Sequence, residues 1–136
     1  MEPEEVGYVA NLRRQDAVLR PPHVRLLHEL EHEELGLAAE IAKAGRLDPG
    51  EAEVLAIAQH RSYVAVIDEL AGHRWAEAEG IRNESTLSLL IGAVQEKRLD
   101  EPTARTFWSE MQRWWDYAPL LPLSDYLRGA QVWAPP

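Results

Sequence analysis

The spacing of hydrophobic positions switches between a helical and an extended period along the chain, and each switch marks an element. Residues 47–69, LDPGEAEVLAIAQHRSYVAVIDE, show this most clearly. Asp48 stands at a helix N-cap, Pro49 at the first helical position and Glu51 three residues after the cap, an Asp-led variant of the capping box. A helix is predicted over 49–59, with Val54, Leu55, Ile57 and Ala58 on its apolar side. His60, Arg61 and Ser62 read as a tight polar break. Tyr63, Val64, Ala65, Val66 and Ile67 are then apolar without interruption, the pattern of a strand buried on both faces of a parallel sheet. The run stops at Asp68 and Glu69.

The remaining pattern is mostly helical. Residues 4–14 predict a short helix with Val6, Val9 and Ala10 on one side. Arg20–Pro21–Pro22 breaks the chain, because a residue before proline is pushed out of the helical region. Residues 23–27 read as a strand. A helix follows over 29–44, with Leu30, Leu37, Ala38 and Ile41 at core spacing and Gly45 as its stop. Another is predicted over 70–79, ended by Gly80, after which Ile81 leads into a short extended segment. Ser85 caps a helix through Gln95, and Asp100–Glu101–Pro102 opens one over 103–115. Pro119 and Pro122 force an irregular crossing before a last helical turn over 124–130. No repeat or linker interrupts this order, so a single α/β domain over 1–136 is expected, helices in the majority.

Composition narrows the function classes. At 136 residues and 46% hydrophobic, the chain can build one core. No apolar run reaches the roughly 18 residues of a membrane-spanning helix. The opening MEPEEV lacks the apolar segment of a secretory signal, and the absence of cysteine excludes disulfides and thiolate chemistry. A cytoplasmic protein is expected. The net charge of −9 counts against a nucleic-acid binder that relies on general electrostatics. It is compatible with a nuclease that bridges to phosphate through a cation.

Three features can carry chemistry. Glu51 and Asp68 are expected near one edge of the sheet, where two carboxylates suit a hard divalent ion such as Mg²⁺. Their carboxyl groups, or that of Glu69 in place of Asp68, should then lie within about 8 Å of each other. The competing reading makes Glu51 a capping residue and Asp68 the N-cap of the next helix. His28–Glu29–Leu30–Glu31–His32 satisfies the zinc-protease pattern H-E-x-x-H. The charged positions around it favour a solvated helix start instead. Phe107, Trp108, Met111, Trp114 and Trp115 fall on one helical face, which reads as core or as a subunit interface rather than a base-stacking platform.

The segments LDPGEAEVLAIA, VAVIDE, AGHRWAEAEGI, STLSLLIGAVQEKRL and MQRWWDYAPLLPLSDYL resemble, in order and spacing, the C-terminal two-thirds of a PIN-domain protein. The resemblance runs from about Leu47 to Leu127. It implies a three-layer α/β/α fold with a short parallel sheet and a Mg²⁺- or Mn²⁺-dependent ribonuclease, in bacteria often a toxin held by an antitoxin. Residue by residue, it implies an acid at Glu51, an acid ending the next strand at Asp68 with Glu69 beside it, and an earlier acid at Glu5. The family also begins with a strand ending in an essential aspartate, to which no segment of this sequence corresponds. The resemblance therefore implies a PIN domain lacking its first strand and helix, with a sheet edge open to a completing partner, an antitoxin or a second copy. Little ribonuclease activity is expected of such a chain by itself. The alternative is a catalytically silent PIN-like interaction module.

Overall fold

A computed structural model describes residues 27, 29–116 and 118–132. The chain divides into two compact units, Met1–Leu30 and Glu31–Pro136, and the elements below belong to the second. The helix expected over 4–14 lies outside the described residues, as does nearly all of the strand expected over 23–27.

Helix α1 spans His32–Gly45 and begins later than its apolar spacing suggests. The reason is local. Glu31 is extended, with φ −68° and ψ 160°, and its N–H donates to Glu34 Oε1 at 2.8 Å, so the capping bond sets the start. At the other end Arg46, not Gly45, takes the left-handed conformation, with φ 52°. Gly45 serves close packing instead: a Cβ there would lie 2.9 Å from Trp75 Cε3. Helix α2, Pro49–Arg61, runs back against α1 and extends past the expected break. His60 and Arg61 stay helical because both side chains bond Glu34 on α1.

Strand β1, Ala65–Val66, pairs in parallel with β2, Asn83–Glu84, Ala65 lying opposite Asn83 and Val66 opposite Glu84. Helix α3, Leu70–Glu79, makes the crossover and ends at Gly80 in the left-handed region, as the sequence predicts. The strand is shorter than predicted and is not buried on both faces. Ala65 and Ile67 are buried, whereas Val64 and Val66 are 45% and 47% exposed. Successive side chains of a strand point to opposite faces, and here only one face is packed into the core. Among the described residues the fold is thus helix-rich α/β with a short parallel sheet.

Two apolar clusters hold this unit together. The first joins α1, α2, β1 and α3 through Ile41, Leu55, Ala65, Ile67, Ala76 and, just after α3, Ile81. The second joins α4 (Thr86–Gln95), α5 (Glu101–Trp114) and α6 (Leu123–Leu127) through Leu87, Leu90, Ala104, Trp108, Leu123 and Tyr126. Ser85 and Asp100 cap α4 and α5 as expected. The aromatic stripe divides. Trp108 is fully buried, with Met111 and Trp115 packed around it, while Phe107 and Trp114 are 48% and 76% exposed. Positions 108, 111 and 115 form the narrow stripe that meets the core; 107 and 114 fall a helical step to one side.

Candidate metal centre

Three chain features bring acids together. Asp48 caps α2 from an extended conformation and accepts the Glu51 N–H at 2.8 Å. The same first turn therefore carries both Asp48 and Glu51. Glu69 follows β1 as the residue preceding α3 and makes no side-chain capping bond. One oxygen from each of Asp48, Glu51 and Glu69 lies within 4.8 Å of the others. They line a cavity of about 320 Å³ with apolar walls from Val54, Val66 and Ile67.

Glu51 is the unusual member. Its Oε1 is buried and has no hydrogen-bond partner. Gly72 on α3 makes this placement possible, since a Cβ there would run into Glu51 Oε1 and come within 2.8 Å of Ile67 Cγ2. Burial pushes the Glu51 carboxyl up from 4.5 to about 7, and the neighbouring charges of Glu69 and Asp48 push the same way. Near neutrality the carboxyl is thus half protonated, and a cation among the three acids relieves both causes. The donor set is all oxygen and holds an unsatisfied buried acceptor, so it fits a hard divalent ion.

Asp68 lines the same cavity but stands outside the close group. Its two oxygens accept from Thr86 N and Thr86 Oγ1, each at 2.7 Å. It therefore ties the end of β1 to the start of α4 and is not the N-cap of α3, a position held by Glu69. Glu5 lies outside the described residues. Asp48 was legible in the sequence only as a cap; that N-cap and N3 side chains share one helical turn was the signal that it could be more.

A second group, Glu31, Glu34 and His60, also has ligand atoms within 4.8 Å. It does not fit a cation. Glu34 is completely buried on α1, and Arg61 donates to both of its oxygens, Nε to Oε2 at 2.6 Å and a terminal nitrogen to Oε1 at 2.8 Å. His60 Nδ1 lies 3.0 Å from Oε2. The Arg61 bond, with those from Glu31 N–H and His60, outweighs burial and holds the Glu34 carboxyl down at about 2. Of the H-E-x-x-H match, Glu29, Leu30 and Glu31 precede α1, which begins at His32, and His28 lies outside the described residues.

No curated protein and no solved structure shows significant similarity to the chain. A family model described as a PIN domain matches residues 6–117. That match spans α1 to α5, including the acid-bearing turn of α2 and the end of β1, and on it the chain belongs to the PIN-domain family.

Proposed function

We propose that this protein is a metal-dependent ribonuclease of PIN type, with Asp48, Glu51 and Glu69 holding Mg²⁺ or Mn²⁺ and Asp68 beside them. The observation that carries this reading is Glu51 Oε1, buried, unbonded and facing two further carboxylates. A buried acceptor among like charges is costly unless it is protonated or met by a cation. A divalent ion held there supplies positive charge to polarise a phosphate and lowers the pKa of a bound water.

In phosphodiester hydrolysis a water oxygen bonds to phosphorus, the bond to one ribose oxygen breaks, and that oxygen leaves protonated. The chain's own contribution is positioning. Thr86 fixes both oxygens of Asp68, and Gly72 leaves room for the Glu51 carboxyl. Glu51 would hold the ion through its carboxylate, in the deprotonated form. Val54, Val66 and Ile67 add apolar surface beside the three acids. The test is calorimetric titration with Mn²⁺ alongside a single-stranded RNA cleavage assay. Wild type should bind Mn²⁺, and the weak cleavage expected of the chain by itself should stop on chelation. Because loss of a mere supporting residue costs a metal site about tenfold or more, Glu51→Gln should weaken binding at least that much and abolish cleavage. A wild-type chain that binds no divalent ion rules the reading out.

Exposed apolar surface favours a second reading. Tyr63, Val64 and Val66 on the β1 segment are each about half exposed. On this reading the protein is a catalytically silent PIN-like module that buries these side chains against a partner, whether an antitoxin or a second copy of itself. Light scattering with Val66→Lys separates the cases: a drop in mass on substitution supports self-association through this face, and a monomeric wild type removes it.

A further inference from the structure

Strand β1 has one edge paired and one edge open. Ala65 N–H donates to the Arg82 carbonyl at 2.9 Å and Ile67 N–H to the Glu84 carbonyl at 2.8 Å, so both residues direct their backbone groups to β2. Backbone groups alternate between the two edges of a strand, and those of Val64 and Val66 therefore face the other way. Among the described residues no strand pairs with that edge. Val64 and Val66 also have half-exposed side chains, and Val54 of α2 joins Val66 on the wall of the acidic cavity. Residues 63–67 contain none of the charges or prolines that blunt an open edge. The two ends of β1 differ in charge. Asp68 and Glu69 stand at its end, with Asp48 and Glu51 grouped around Glu69. At its start the exposed Arg82 reaches across from the residue before β2 and donates to the Ser62 carbonyl.

We propose that a second copy of this chain adds at the open edge, the two β1 strands running antiparallel across a two-fold axis with Val64 of each opposite Val66 of the other. The proposal rests on the interaction reading above and names its partner and pairing; it holds whether or not the acids carry a cation. In this register the outward backbone groups of Val64 and Val66 satisfy those of the other copy, and the four valine side chains meet on one face. Charge selects the direction. An antiparallel pair brings Ser62, where the Arg82 guanidinium lies, opposite the partner's Asp68, so each basic start meets an acidic end. A parallel pair would set the two acidic ends side by side. Because both copies use the same patch, the assembly closes at two.

The test uses the full chain in chelator, so that no metal enters it. Sedimentation over a range of concentrations should show wild type as a dimer that dissociates on dilution. Val66→Pro removes one outward N–H per copy and keeps both bonds to β2, so it should weaken association by about tenfold or more, the order of two lost backbone bonds. Arg82→Glu should weaken it at low salt and much less at high salt. The chain has no cysteine, so introduced thiols report the register. Val64→Cys mixed with Val66→Cys should form a disulfide-linked pair, because directly opposite Cα atoms lie about 5.5 Å apart. Neither variant should cross-link to itself, since diagonal neighbours stand about 7–8 Å apart. Both changes are small, which keeps the test valid if Val66→Pro fails to fold. A dimer that Val66→Lys breaks, but in which the mixed thiols do not cross-link, overturns the strand pairing and leaves the interaction reading standing. Self-cross-linking of one variant in preference to the mixture overturns the pairing as well. A wild type that stays monomeric at every concentration removes both.

Discussion

Glu51 is placed where an ionised carboxylate is least welcome, against Gly72 and facing Glu69 and Asp48. Its folded pKa of about 7 lies above the ordinary 4.5, so the folded chain holds the proton more tightly than the unfolded one. The stability this gives the metal-free fold is complete below pH 4.5 and is lost as pH rises through about 7. Glu51→Gln should therefore stabilise the metal-free chain above that range, by roughly 1–2 kcal/mol once the shift is discounted for solvent screening. Urea denaturation in chelator on either side of the window measures it, and an unchanged midpoint at high pH counts against the burial. Gly72→Ala makes the complementary case. Its methyl occupies the place of Glu51 Oε1, so Mn²⁺ affinity should drop on calorimetry while Glu51 remains chemically intact.

At the scale of elements, helix ends were decided by partners far along the chain. The α1–α2 interface is closed by Glu34 with Arg61 and His60, and this tie carries α2 past the polar break that the sequence suggests. Glu34 titrates at about 2 when folded, against 4.5, so its contribution is present above pH 4.5 and is lost as pH falls toward 2. His60 is raised above 6.5 chiefly by its bond to Glu34, so its share is present below 6.5 and fades as pH rises through the higher folded value. Arg61→Met alone should destabilise the chain by stranding a buried carboxylate, and the double change Glu34→Leu with Arg61→Met should recover much of that loss in the same urea assay. In the second core Trp108 fills the space among α4, α5 and α6 and donates to the Leu121 carbonyl. Trp108→Ala should cost about 3–5 kcal/mol, and a loss below 1 kcal/mol would contradict its burial.

For the whole molecule, the proposed metal site would make metal binding, protonation and folding one linked equilibrium. A cation that binds only the folded state stabilises it by about 2.7 kcal/mol when present at a hundredfold excess over its Kd. Because Glu51 must lose its proton to take part, the gain should be larger above pH 7 than below 4.5. Thermal melts with and without Mn²⁺ should show a rise in Tm of several degrees at the higher pH and almost none at the lower. Equal shifts at both would place the ion elsewhere. The PIN-domain match and the helix-rich parallel pair set the scaffold, and among the described residues no helix is long and apolar enough to cross a membrane.

The sequence by itself determined the order of helices, the crossover from β1 through α3 to β2, and the caps at Asp48, Ser85 and Asp100, because each depends on contacts within a few residues. It also placed Glu51 on the opening turn of a helix and acids at the end of a strand. Tertiary structure alone decided which acids meet. Glu69 joins Glu51 and Asp48, whereas Asp68 turns to Thr86, a partner 18 residues away that no local pattern reveals. It decided as well that β1 is buried on one face, since the apolar run records only that each side chain tolerates burial. The split of the aromatic stripe into buried Trp108 and exposed Trp114 has the same origin: hydrophobicity is a property of the residue, but exposure depends on what packs beside it.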